Sequence, residues 1–362
     1  MVGFIRSRVS LKIKMLSNNT DYSLTEVKKS SNAIDPLPPD VARPMWSVMI
    51  PIYNRTTYLE QAIASVIEQT REYAAERIQI ELIDNCSTNP EIEFLIQQLA
   101  KQHRISVYRQ PQTVSMVENL NTCIRRARGQ LIHILHDDDI VLPGFYQSLE
   151  AAFTQEPSIG AAYCRHAHID ENDRQQNYLS SLERSTSGII PNFLKRIAVY
   201  SLVDPPAMVV KRSVYEHLGG FRPELYGACD HEMWRRIAAH YPIWFEPQVL
   251  ACFRVHSRSQ TSAFVRTGKN IVNMRQSIET TRSYLPKSTA ERIAKRAMEE
   301  CALYALRNAF RVLSRGDLTA TKAQIREALK CSCSLKVIAA LFLVPFLAVA
   351  SSLKRCLERH RE

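Results

Sequence analysis

The chain has 362 residues and a formal net charge of +11, with 45% apolar and 23% charged residues. That is an ordinary globular composition, long enough for one large domain or two smaller ones. The positive balance points to a polyanionic partner; with no aromatic and basic repeat of the kind RNA-binding sheets use, nucleic acid is set aside and anionic lipid or nucleotide phosphate remains. Nine cysteines, scattered and odd in number, indicate reduced thiols in a cytosolic compartment. Cys331 and Cys333 lack a second pair at zinc-finger spacing.

The first 16 residues, MVGFIRSRVSLKIKML, lack a continuous apolar core and a small-residue cleavage site, so they make a poor secretory signal. Residues 1–45 are polar and end in DPLPPDVARP, whose four prolines disfavour helix. They read as an N-terminal extension and linker. From Trp46 strands and helices alternate. SVMIPIY is a short apolar strand, YLEQAIASVIEQT has apolar residues at helical spacing, and IQIELID is a β-branched strand. NPEIEFLIQQLAKQ opens with Asn89 as N-cap and Pro90 at the first helical position. ISVYRQ is a strand, SMVENLNTCIRRARG a helix ending at a glycine cap, and QLIHIL a strand. This alternation predicts an α/β fold with a mostly parallel sheet covered on both faces. Ligands bind such sheets at the carboxyl ends of the strands, where PIYNR, DNCS and HDDD fall.

Residues 160–262 read as further strands with long connections, and 270–331 as helices with a periodic apolar stripe. Between Lys336 and Lys354 there is no charge. That stretch is a little short of the ~20 residues a spanning helix needs, and Pro345 interrupts it. Lys354, Arg355, Arg359 and Arg361 follow, which favours a cytoplasmic, lipid-facing position. The alternative is a buried helix packed on the preceding stripe.

The acidic run Asp137, Asp138, Asp139 ends an apolar strand. Adjacent carboxylates repel and raise one another's pKa. A divalent cation, Mg²⁺ or Mn²⁺, held between them and a phosphate offsets that repulsion. The plainer alternative is a solvated acidic turn facing the N-terminus of a helix that starts at Pro143.

Taken in order, PIYNR, LIDNCS, NLNTCIRRARGQLIHILHDDDIVLPG, GGFRPEL, CDHEMWRRI and FRVHSRSQT resemble the family 2 glycosyltransferases over about residues 46–262. The resemblance implies a GT-A fold, with a nucleotide-sugar half (46–159) and an acceptor half (160–262). A helical extension (263–335) and the apolar segment with its basic tail (336–362) follow. It implies an inverting, metal-dependent hexosyl transfer from a nucleotide-diphosphate sugar, UDP favoured, to a hydroxyl of a glycan or lipid-linked acceptor. Polysaccharide biosynthesis at the inner face of the cell membrane would suit such an enzyme. By position, Pro51, Tyr53 and Asn54 match the opening nucleotide-binding loop. Asp84 matches the acid that accepts a hydrogen bond from the uracil imide; its alternative role is a strand-end residue capping its own loop. Asp137 and Asp138 match the ribose and metal pair, Asp138 being the more direct ligand and Asp139 supporting it. His136 stands where many relatives have an acid. Asp230 matches the catalytic base, with Cys229 where relatives often have Glu; its alternative role is a helix cap. His256 matches a His that closes over the diphosphate, flanked by Arg254 and Arg258. Trp234 and Trp244 are candidates to stack on an acceptor sugar or, more commonly, core residues.

Two other nucleotide chemistries lack their phosphate loops: no G-x-G-x-x-G follows the first strand and no G-x-x-x-x-G-K-[ST] occurs. The remaining alternative is a non-catalytic, membrane-associated scaffold that kept the GT-A fold.

Overall fold

A computed structural model describes residues 32–344. Most of the expected N-terminal extension, and the apolar segment from residue 345 onward with its basic tail, lie outside the described residues. Ten strands form one sheet: β1 (Trp46–Ile52), β2 (Ile78–Asp84), β3 (Ser106–Arg109), β4 (Leu131–Ile134), β5 (Ile140–Val141), β6 (Ala161–Ile169), β7 (Gln175–Leu179), β8 (Gly188–Ile189), β9 (Met208–Lys211) and β10 (Ile243–Arg254). The helices are α1 (Leu59–Thr70), α2 (Pro90–Gln102), α3 (Met116–Arg126), α4 (Phe145–Gln155), α5 (Phe193–Ile197), α6 (Arg212–Leu218), α7 (Cys229–His240), α8 (Gln260–Thr267), α9 (Lys269–Arg282), α10 (Lys287–Leu313) and α11 (Leu318–Cys331).

The spatial strand order is β3–β2–β1–β4–β9–β6–β10–β5, with β7 beside β6 and β8 beside β10. Strands β3, β2, β1 and β4 are parallel, as the βα alternation predicts. Beyond β4 the sheet is mixed. β9 runs antiparallel to both β4 and β6, while β10 is parallel to β6. β1 is apolar except for Ser47 and almost wholly buried, as helices on both faces require.

Local signals explain the element ends. Asn89 accepts from Glu91 N at 3.0 Å and Ser115 from Glu118 N at 3.1 Å, capping α2 and α3. The expected glycine cap of α3 is not formed, because the helix ends at Ala127 in an extended conformation. Gly129 serves close approach instead. A Cβ there would lie 2.4 Å from Ser47 N, and Gly129 N donates to Ser47 Oγ at 2.7 Å. Residues 32–45 carry no helix or strand, yet they are tied down. Ile34 is buried in the main core, and Asp35 O accepts from Arg212 at 3.2 Å.

A second apolar cluster joins α9, α10 and α11 and takes in Val337 and Val344. Its helices brace α7. Arg235, fully buried, donates from Nη1 to Ser277 Oγ of α9 at 2.9 Å and from Nε to Ile197 O at 2.9 Å. Buried Glu232 accepts from Arg222 at 3.2 Å and from Arg236 at 3.0 Å, and also bonds Tyr284. Trp234 and Trp244 are core residues. Among the described residues no helix is long and apolar enough to cross a membrane.

Candidate functional site

The carboxyl ends of β1, β2 and β4 lie side by side, and their loops are stitched together. Asn54 adopts a left-handed φ of 54°, which Asn tolerates better than most residues. In that conformation its Oδ1 accepts from Thr88 N at 2.7 Å and Asn89 N at 3.0 Å, and its own N donates to Ser87 Oγ at 2.9 Å. Tyr53 is left half exposed and Pro51 partly so. The opening loop is thereby a rigid ledge above the strand ends.

Asp84 departs from the expected base contact. It is 1% exposed, and its Oδ1 accepts from Ser87 Oγ at 2.5 Å and Ser87 N at 3.1 Å. Cys86, at φ 57°, folds Ser87 back over it. Arg109 stands 3.2 Å from Oδ2, so Asp84 caps its own loop. The half-exposed group at this position is Arg109, which sequence reasoning missed.

The acidic run gathers as expected, but it is not bare. Arg55 Nη1 donates to Asp137 Oδ1 at 2.8 Å and also bonds Asp138 Oδ2. His256 Nε2 lies 3.0 Å from the same Asp138 oxygen. The Arg55 guanidinium thus answers the repulsion of the run, and His256 adds a hydrogen bond to Asp138. Arg55 closes the PIYNR motif, and its nearness to the second carboxylate loop was not read from it. Burial, then the Asp138 charge, pushes the Asp137 carboxyl up to about 8. The same two causes hold Asp139 well above the ordinary range. Burial opposes the charge on Asp138 too, but the His256 hydrogen bond and Arg55 outweigh it and keep its pKa low. Asp138 is therefore the member of the run that holds its charge most readily.

Arg254 is also corrected. It points inward, fully buried, rather than toward a diphosphate. Its N donates to Asp139 Oδ1 at 2.8 Å, and its guanidinium reaches Asp138 O (2.8 Å), Asp170 O (2.9 Å), Asp173 Oδ1 (2.6 Å) and Gln61 Oε1 (2.7 Å). Tyr58 stacks beneath it at 4.3 Å. Arg254 therefore shapes the acid loop, and Arg258 is the exposed cation of this segment.

Asp230 sits in the first turn of α7 rather than at its cap, half buried, its Oδ1 accepting from His231 N at 2.8 Å. Burial lowers the His136 pKa, while the charges of Asp138 and Asp230 both act to raise it. The run, His136 and His256 are thus drawn together, and the Asp230 charge is felt at His136.

The residues fit a divalent cation. One donor atom from each of His136, Asp138 and Asp139 lies within 4.8 Å of the other two. Asp139 Oδ2 is buried without a hydrogen-bond partner, and such an atom requires an explanation. Carboxylate oxygens suit Mg²⁺ and Mn²⁺.

The family model described as Glycosyl transferase family 2 matches residues 47–219. These residues form a family 2 glycosyltransferase domain. An uncharacterized protein of Mycobacterium tuberculosis, MT1568, is 28% identical over 242 residues, 64% of this chain and 74% of its own. An uncharacterized glycosyltransferase of Haemophilus influenzae is 22% identical over 241 residues, 61% of this chain and 68% of its own. Among solved structures, S. aureus TarS 1–349 in complex with UDP-GlcNAc superposes with a TM-score of 0.60 at 16% identity, covering 85% of this chain and 88% of that one. The mannosyltransferase PcManGT from Pyrobaculum calidifontis, in complex with GDP-Man and Mn²⁺, gives 0.51 at 18% identity, covering 90% of each. The glycosyltransferase shares the GT-A fold of these proteins.

Proposed function

We propose that this glycosyltransferase is inverting and metal-dependent, moving a sugar from a nucleoside-diphosphate donor, UDP favoured, to a hydroxyl of a glycan or lipid-linked acceptor. The observation that carries the reading is the approach of Asp230 to the Asp137–Asp139 loop, close enough for its charge to act on His136. An inverting transfer needs that pairing: anionic groups for the donor and one separate carboxylate for the acceptor.

Asp138 and Asp139, with His136, would hold the cation, and Asp137 would face the donor ribose. When bound, the ion offsets diphosphate charge and polarises the leaving oxygen. Asp230 accepts the acceptor hydroxyl proton as that oxygen attacks the anomeric carbon. Its half-buried place on the braced helix α7 limits how far the carboxylate can stray, which favours an aligned attack. Arg55 and His256 rest on Asp138 and turn to the diphosphate when the donor arrives, Arg55 bringing its charge and His256 a hydrogen bond, stabilising the leaving group. Tyr53 and Arg109 flank the nucleoside, and Pro51 and Asn54 fix the ledge on which it lies. Asp84 acts by tying that ledge together.

The TarS complex with UDP-GlcNAc and the PcManGT complex with GDP-Man and Mn²⁺ support a nucleotide-sugar donor and a bound ion. We also propose that the C-terminal segment rests on an anionic membrane surface at the cytoplasmic face. Residues 335–344 are helical and expose Leu335, Phe342 and Leu343. A screen of nucleotide sugars with Mn²⁺, read by thermal shift and by proton NMR of the product, tests the chemistry. The expected result is stabilisation by one UDP-sugar and a product of inverted anomeric configuration; a retained configuration overturns the mechanism.

A further inference from the structure

We propose that the glycosyltransferase carries a second metal site, built from His166, His168 and Asp204, for a borderline divalent ion of the zinc class. Strand periodicity sets it up. His166 and His168 are two residues apart on β6, so both imidazoles project from one face of the sheet. Asp204, in the loop just before the turn Pro205–Ala207, meets them there. Its Oδ2 lies 2.7 Å from His168 Nε2 and 3.1 Å from His166 Nε2. One donor atom from each of the three falls within 4.8 Å of the other two.

A plain ion-pair cluster does not account for His166. Its side chain is fully buried, and neither ring nitrogen has a hydrogen-bond partner. Its Nε2 stands 3.1 Å from Asp204 Oδ2 without completing a hydrogen bond. A buried polar group left unmatched is destabilising, so it calls for a missing ligand. A cation would take the Nε2 lone pair.

Two neutral imidazoles and one carboxylate are the donor set of an open zinc site, with a fourth position free for water or an acceptor oxygen. Donors of a tetrahedral ion stand about 3.3 Å apart, so the separation of Asp204 from His168 would open by about 0.6 Å and that from His166 by about 0.2 Å. Access is from one side: His168 and Asp204 are partly exposed while His166 closes the floor. Tyr178 stacks on His168 with ring centroids 3.8 Å apart and planes 25° from parallel, which fixes the imidazole orientation. The cluster is distinct from the acid loop in its residues, yet near it, since the Asp204 charge acts on Asp139.

The test uses the full chain, stripped with a chelator and then titrated with Zn²⁺ in excess Mg²⁺, beside a Co²⁺ titration read by visible absorption. The wild type and Asp138→Asn are expected to bind one Zn²⁺ and to give the intense absorption of tetrahedral Co²⁺. His168→Gln and Asp204→Asn, shown folded by circular dichroism, should lose more than the roughly 100-fold in affinity that even an outer-shell partner can be worth. No zinc uptake by the wild type overturns the site, as does uptake unchanged in the folded variants or lost only in Asp138→Asn. If either variant fails to fold, the wild-type spectrum still decides: weak, octahedral-type cobalt absorption overturns it.

Discussion

Replacing Arg55 by Gln removes the guanidinium shared by Asp137 and Asp138 and leaves the Asp138 carboxylate with the His256 hydrogen bond. At an effective permittivity near 20, opposite charges about 4 Å apart attract by roughly 4 kcal/mol, and breaking one side of a buried pair costs about 3–5 kcal/mol. Arg55 keeps a quarter of its side chain exposed, and Asp137 can escape its charge by protonating, its pKa already raised to about 8. The expected loss is therefore smaller, about 2 kcal/mol or some 3 °C in Tm. The sign with pH follows from Asp138, whose folded pKa lies below its ordinary value. Its contribution is present above that ordinary value and lost as the pH falls through the folded one, so the variant and wild type should converge in acid. The same substitution vacates the carboxylates for a cation. Mn²⁺ should then bind Arg55→Gln more tightly than wild type without nucleotide, and restore much of the lost Tm. Differential scanning fluorimetry across pH, with and without Mn²⁺, reads both effects. A variant that is destabilised yet indifferent to Mn²⁺ would refute the idea that guanidinium and cation compete for one place.

Asp230→Asn should lower kcat by about 10²–10⁴-fold while leaving nucleotide affinity unchanged; product assays beside calorimetry separate the two. His133 is fully buried, and desolvation lowers its pKa from 6.5 to about 3. The unfolded chain then binds more protons in that window, so stability falls with pH below 6.5, by about 2 kcal/mol at pH 5 from this group. Urea unfolding of His133→Gln should show a correspondingly shallower slope. Gly129→Ala drives a methyl group to 2.4 Å from Ser47 N and should cost about 1–3 kcal/mol, seen as a lower urea midpoint at unchanged m. Truncation after Lys336 should abolish flotation with anionic vesicles; equal partition of truncated and full chains would remove the membrane proposal.

The parallel half of the fold was legible because each of its elements carries a local signature: an almost wholly buried strand such as β1, or a capped helix such as α2. The mixed half was not. β5 and β8 are two residues long, and the insertion of β9 between β4 and β6 is a non-local pairing that no short window records. The site divides along the same line. The carboxylates could be found because they cluster in sequence, whereas their neutralisation by Arg55, 82 residues away, is a tertiary fact. Arg254 was grouped with His256 and Arg258 near the diphosphate, though strand alternation puts it on the same face as buried Cys252 and Leu250. Asp84 was placed correctly at the end of its strand; the turn through Cys86 that covers it depends on a backbone conformation unusual for that residue.

The central claim is that Asp138 helps hold a cation against a donor diphosphate. Calorimetric titration of UDP tests it most directly, in Mn²⁺ and in EDTA, for wild type and Asp138→Asn. The account predicts binding to wild type that needs Mn²⁺ and collapses in the variant. Equal affinity in EDTA, or an unaffected variant, would contradict it.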